Sequence, residues 1–178
     1  MIDIVRRLLE REKITFSEED QIKMKEYRVE KESTLNEFKK IMTENDFRYI
    51  LEEVDKMYEL SKLREKDNYG YGICVGVLTA LECAEVFPKS KSILQKIFEG
   101  KEFSEKIDRH CLEEYKIRNE FSSASETIRN LKGDQIRLIN NLDNAIYPEC
   151  GIREEAYLMQ GVRIGLKIGA AASELIRD

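Results

Sequence analysis

The chain has 178 residues, of which 42% are hydrophobic and 37% charged, and its formal net charge is −5. General binding to DNA or RNA is not expected, because an acidic chain lacks the basic surface that phosphate groups require. No run of 18 apolar residues occurs, so no membrane span is expected either.

The composition also predicts the fold class and the compartment. Only two prolines and nine glycines interrupt long stretches rich in Glu, Lys, Leu and Ile, which predicts an all-α protein. The four cysteines form no CxxC pair, and the first residues contain no apolar stretch of signal-peptide length. We therefore expect a cytoplasmic protein with reduced thiols.

The first half of the chain predicts a short helix and three longer ones. The short helix covers about residues 2–12, and a second helix covers about 18–42 behind a capping signal at Ser17. Thr43 is a second capping residue, and an apolar stripe follows it at helical spacing. This stripe consists of Phe47, Ile50, Leu51, Val54, Met57 and Tyr58. The fourth helix covers about 67–86 and ends before a Phe-Pro pair.

The second half predicts the same plan. One helix carries the apolar positions Phe121, Ala124, Ile128 and Leu131, and the next carries Ile136, Ile139, Leu142 and Ile146. Gly133 between them indicates a helix end and a new start at Asp134. The segment Pro148-Glu149-Cys150-Gly151 predicts a turn, and a last helix covers about 152–176.

Residues of the first half recur at a near-constant offset in the second half. The stripe Ile4, Val5, Leu8 and Leu9 returns as Ile93, Leu94, Ile97 and Phe98, each 89 positions later. The same offset relates Arg48 to Arg137, Tyr58 to Tyr147, Arg64 to Arg153, Gly72 to Gly161 and Glu85 to Glu174. These coincidences predict a tandem duplication, with one helical module in residues 1–88 and its diverged copy in 89–178. We expect the copies to pack as one globular helical bundle with a pseudo-twofold relation.

The last helix of each copy carries small residues four apart. The stripe consists of Gly72, Gly76 and Ala80 in one copy and of Gly161, Gly165 and Gly169 in the other. Residues four apart share a helix face, and glycine inside a helix costs about 1 kcal/mol relative to alanine. We expect close helix packing to offset this cost, with the two stripes facing each other or a partner subunit. The alternative is that the small residues leave space for a ligand.

This glycine-bearing helix resembles an uncharacterised family of short helical proteins from Gram-positive bacteria, their phages and mobile elements. Copy two matches the family pattern in Phe98-Glu99-Gly100 and in Gly161-Val162-Arg163-Ile164-Gly165-Leu166-Lys167. Copy one departs from it, with Arg11 where Gly100 stands and Cys74 where Arg163 stands. The resemblance implies an all-α fold and an origin in a Gram-positive bacterium, a phage or a mobile element, and it implies no activity.

Polar residues that recur in both copies are the candidate site. They are Arg48, Arg137, Tyr58, Tyr147, Arg64, Arg153, Glu85 and Glu174. One interpretation is structural, with arginine–glutamate pairs and half-buried tyrosines. The other is a groove between the copies in which these arginines and tyrosines bind an anionic ligand by bidentate hydrogen bonds and stacking.

Catalytic and metal-binding patterns are not recognisable in the sequence. His110 is the only histidine, which leaves no Ser-His-Asp or Cys-His arrangement and no zinc or di-iron pattern. We expect no catalytic residues, no cofactor and no metal. The predicted function is a non-enzymatic helical module that binds a protein partner or itself. The alternative is binding or sequestration of a small, nucleotide-like anionic ligand, and an enzyme that uses carboxylates and tyrosine alone is a third hypothesis.

Overall fold

The computed structural model describes residues 14–84 and 133–177, with side chains up to 174. Within these ranges the chain forms three helices and no strand: α1 (Glu18–Ile41), α2 (Glu44–Cys83) and α3 (Asp134–Arg177). The prediction of an all-α fold is confirmed there. The predicted helix at 2–12, the predicted seam at 121–131 and the family pattern at Phe98–Gly100 lie outside the described residues.

Both predicted capping signals in the first half are confirmed. The Ser17 hydroxyl oxygen accepts the amide of Asp20 at 3.0 Å and opens α1. The Thr43 hydroxyl oxygen accepts the amide of Asp46 at 3.2 Å and opens α2. Each side-chain oxygen pairs a backbone amide that has no partner inside its own helix.

The predicted break between the third and fourth helices is wrong, because α2 is continuous over 40 residues. Its buried face continues through Ser61 and Glu65 to Tyr69, which are 3%, 4% and 0% exposed. The apolar periodicity lapses because two of these positions are polar. The backbone stays helical because residues 59–66 contain no proline or glycine and consist mostly of good helix formers.

The predicted turn at residues 148–151 is also wrong, since α3 continues through Pro148. Proline in a helix interior removes one hydrogen bond and crowds the preceding turn. Here the flanking residues Ile146, Glu149 and Cys150 are 0%, 2% and 6% exposed, and their burial holds both sides of the proline in the helix. The start at Asp134 is confirmed, with Gly133 at a φ of 56° in the left-handed region.

The described residues divide into two compact units, and α2 and α3 contribute to both. One unit contains residues 16–63 and 133–153, and the other contains 14–15, 64–84 and 154–177. No described helix has an apolar stretch long enough to cross a membrane.

The first unit has an apolar core built by all three helices. Its buried residues are Phe38, Ile50, Val54, Met57, Leu138, Leu142, Ile146 and Cys150. Ile139 packs against this cluster, whereas Ile136, which the sequence places on the same stripe, is 50% exposed. Helix α1 runs antiparallel to α3, because its Arg28 contacts Glu149 and its later Glu37 contacts Arg137.

The second unit is held by the small residues of α2 and α3, here called the glycine seam: Gly72, Gly76, Ala80, Gly161, Gly165 and Gly169. The structure sets the two stripes against each other, with the residue numbers rising together, so the helices run parallel. A Cβ added at Gly165 would overlap the carbonyl oxygen of Ile73 and lie 2.9 Å from the Cα of Gly76. At Gly72, Gly76, Gly161 and Gly165 backbone therefore packs on backbone, and no side chain fits between.

We expect two glycine-to-alanine changes in α3 to have opposite effects. Gly151→Ala meets nothing within 4 Å, so it should raise the free energy of unfolding by about 1 kcal/mol through helix propensity alone. Gly165→Ala gains the same propensity, but forces α2 and α3 apart and should lower that free energy by about 2 kcal/mol. Urea denaturation of both variants measures the contrast. Equal effects would mean that the seam is not closely packed.

Candidate functional site

The two recurring arginines at the starts of α2 and α3 are exposed. Arg48 has a side chain 64% exposed and lies 3.7 Å from Glu52. Arg137 is exposed to the same extent and lies 3.9 Å from both Glu37 and Asp134. Such long, exposed ion pairs contribute little to stability.

The other recurring residues have dissimilar surroundings. Tyr58 is half-buried, whereas Tyr147 is 55% exposed. Arg64 and Arg153 are both half-buried but belong to different units. Glu174 is exposed, and Glu85 lies outside the described residues. The recurring arginines and tyrosines of the described residues thus differ in exposure, and Arg64 belongs to a different unit from the others.

A buried carboxylate that the sequence did not single out organises the first unit. Glu149 is 2% exposed, and it accepts hydrogen bonds from Arg28 Nε at 2.7 Å and from the Tyr58 hydroxyl at 2.6 Å. Lys31 donates to the Tyr58 oxygen at 3.1 Å. These four residues, the Glu149 network, join α1, α2 and α3. They lie up to 121 positions apart, so only the tertiary fold reveals them.

Burial of the Tyr58 hydroxyl, and then its hydrogen bond to Glu149, raise the pKa of Tyr58 above its usual value of 10. The hydroxyl therefore keeps its proton and donates a hydrogen bond to the carboxylate. The side chain of Arg28 is 53% exposed, so in the ion pair between Arg28 and Glu149 mainly the glutamate is removed from water. The network fixes where α1 lies on the other two helices, because a buried carboxylate without its donors is costly.

A second buried carboxylate, Glu53 of α2, lacks hydrogen bonds. It is 5% exposed, and neither of its oxygens has a hydrogen-bond partner within the described part of the chain. Lys56 lies 3.6 Å away. Burial raises the pKa of Glu53, and burial also raises the pKa of Asp143 on α3. No group of three or more His, Cys, Asp or Glu side chains able to hold a metal occurs in the ranges 14–84 and 133–177.

An open groove has a lining that includes one face of α1 and Asn141 of α3. It has a volume of about 740 Å³ and is lined by Ile22, Lys25, Glu26, Val29, Glu30, Ser33, Thr34, Glu37 and Asn141. Ile22 and Val29 are each 60% exposed, although they are large and apolar. Thr34 is buried beside them at 4% exposure. We call this surface the α1 groove.

The α1 groove carries acidic side chains and contains none of the recurring arginines or tyrosines. Among the described residues, Glu26, Glu30 and Glu37 line it together with one lysine, Lys25. The sequence analysis did not predict this surface, because it assigned the apolar residues at helical spacing to the core. The available signal was the seven-residue spacing of Ile22 and Val29 on a face that the buried residues Met24 and Phe38 do not use.

No protein-family model matches the chain, and no curated protein and no solved structure is significantly similar to it. The resemblance to the short helical family of Gram-positive bacteria and phages stays a prediction.

The raised pKa of Tyr58 predicts a loss of stability at alkaline pH. The unfolded chain releases this phenolic proton above about pH 10, whereas the folded chain retains it. The stabilisation is thus complete below about pH 10 and is lost as the pH rises towards the higher pKa of the folded state. Urea denaturation across this range should show the free energy of unfolding falling more steeply for the wild type than for Tyr58→Phe.

Tyr147→Phe is the matched control, since the exposed Tyr147 occupies the corresponding position of α3. It should keep the steep decline of the wild type. At neutral pH, Tyr58→Phe should cost about 1–2 kcal/mol, because a hydrogen bond to a charged group is lost. Parallel pH profiles for Tyr58→Phe and the wild type would contradict the assignment.

Proposed function

We propose that the protein is a non-enzymatic helical interaction module that binds a helix of another protein in the α1 groove. The observation that carries the proposal is the exposure of Ile22 and Val29, 60% each, on one face of a helix whose opposite face carries the buried Met24 and Phe38. An amphipathic helix laid along such a groove buries apolar residues at matching spacing.

The groove favours a protein helix over the alternative of a small anionic ligand. Among the described residues, its charged lining is three glutamates against one lysine, which disfavours an anion. It is also more open than enclosed, whereas pockets for small ligands enclose most of the ligand surface. None of the recurring arginines is among the described residues that line the groove, and Arg137 lies 3.9 Å from its Glu37. A cytoplasmic location is part of the proposal, as is the absence of catalysis.

We also propose that the chain arose by tandem duplication and that its two copies are related by a pseudo-twofold axis. The support is a coincidence of two offsets. The sequence repeats with an offset of 89, and the glycine seam pairs Gly72 with Gly161 and Gly76 with Gly165, the same offset. The contacts are also reciprocal, since Gly76 meets the carbonyl of Val162 while Gly165 meets that of Ile73. A twofold interface has this reciprocity.

Under the duplication proposal, equivalent changes on either side of the seam should cost the same. Gly76→Ala and Gly165→Ala each direct a methyl group at the equivalent carbonyl of the facing helix. We expect their unfolding free energies to agree within about 0.5 kcal/mol, and the double variant to show strong non-additivity, because the two positions touch. Clearly unequal costs would argue against a twofold relation at the seam.

We expect partner binding to require the two exposed apolar residues of the α1 groove. The test installs a photo-crosslinking residue at Ser33, irradiates the full chain in cells of its host, and sequences the attached peptide. Crosslinks to one reproducible partner segment should disappear in Ile22→Ser/Val29→Ser. Both residues are exposed, so the stability of this variant should stay within about 0.5 kcal/mol of the wild type.

The control variant is Ile41→Ser/Met159→Ser, which alters two apolar residues of similar exposure, 50% and 49%, outside the groove. It should leave the crosslinks intact. Crosslinks that survive in the groove variant would contradict the proposed surface. A segment that is extended rather than helical when bound would contradict helix binding.

A further inference from the structure

We infer that the occupant of the α1 groove is a cationic amphipathic helix of a partner protein, with lysine or arginine beside two apolar residues one heptad apart. This inference rests on the proposed function and deepens it by assigning the chemistry of the partner. The decisive feature is the combination on one helix face of two spaced apolar residues and two glutamates that form no ion pair with another described residue.

The spacing sets the pattern of the partner's apolar residues. Ile22 and Val29 are seven residues apart on α1, which places them about 10.5 Å apart along its axis. A helix that packs alongside α1 at a small crossing angle presents apolar residues at the same interval when they repeat by heptads. The partner therefore carries two apolar residues seven apart, one for each exposed side chain of α1.

The charge sets the residues beside them. Glu26 and Glu30 are four apart on α1, so their side chains are neighbours and their like charges repel. Both are exposed, and neither forms an ion pair with another residue of the described ranges. A lysine or arginine of the partner beside this pair would relieve the repulsion and gain two acidic neighbours. The third glutamate, Glu37, is shared with Arg137 at 3.9 Å and contributes less.

One polar group at the edge of the groove fits the same occupant. The side chain of Asn141 on α3 lines the groove and is half-buried. The neighbouring Thr34 hydroxyl already donates to the carbonyl of Glu30 at 2.9 Å, so it is satisfied within α1. No hydrogen bond of the Asn141 side chain to another described residue is present, so its amide can pair with a polar side chain of the partner helix.

The experiment uses two fluorescent synthetic peptides about three heptads long, with leucine at the a and d positions. At the positions that flank these leucines, one peptide carries lysine and the other carries glutamate, so the peptides differ mainly in charge. Fluorescence anisotropy with the full-length protein should give affinity for the lysine peptide at least about tenfold higher than for the glutamate peptide. The difference should shrink in high salt, because exposed charges are screened.

A charge reversal in the groove should switch this preference. Glu26→Lys/Glu30→Lys should weaken binding of the lysine peptide about tenfold and strengthen binding of the glutamate peptide. Glu59→Lys/Glu155→Lys changes the net charge equally at two exposed positions outside the groove and should change neither affinity by more than about twofold.

The outcomes separate the inference from the function on which it rests. If both peptides bind equally and Ile22→Ser/Val29→Ser abolishes this binding, the inferred cationic character of the partner is wrong, and the proposed binding of a helix still holds. Binding of neither peptide would overturn the helix as occupant. If light scattering shows a homodimer that Ile22→Ser/Val29→Ser dissociates, the occupant is a second copy of the chain, and the inferred partner is wrong.

Discussion

Backbone-on-backbone packing at the glycine seam is the constraint on which the arrangement of α2 and α3 depends. Any Cβ at Gly72, Gly76, Gly161 or Gly165 would overlap a main-chain atom of the facing helix. The seam therefore fixes the register of the two helices to the residue and holds them parallel in their second halves. Glycine lowers helix propensity, so the seam is stable because the close contact gains dispersion energy along two long, continuous helices.

Departures from the proposed twofold relation coincide with the polar features of the first unit. Under the offset of 89, the buried Glu149 corresponds to Leu60, and the buried Glu53 corresponds to the core residue Leu142. Asp143, whose pKa burial raises, corresponds to the core residue Val54. An apolar residue would avoid the desolvation of each carboxylate. The divergence therefore costs stability, and only Glu149 recovers it through hydrogen bonds that position α1.

Local chemistry was readable from the sequence, whereas contacts between helices were not. Ser17, Thr43 and Gly133 were found because capping depends on a few adjacent residues. The helix breaks were misjudged at Ser61, Glu65 and Pro148, where buried tertiary contacts override local signals. The Glu149 network was not predicted, because its members share no sequence pattern and come together only in the fold. A shared residue type at corresponding positions does not ensure a shared environment: Tyr58 is half-buried, whereas Tyr147 is exposed.

The energetics of the α1 groove constrain what a partner must supply. Covering Ile22 and Val29 would contribute about 1.5–3 kcal/mol for each side chain, and less than that here, since both are already partly covered. Association itself costs about 4–15 kcal/mol, so the two apolar residues alone cannot hold a partner. The acidic pair Glu26 and Glu30 therefore matters for more than orientation, because it attracts a cationic helix before contact and selects against an anionic one. A short groove with two apolar contacts and an acidic rim suits a reversible interaction whose strength depends on ionic conditions.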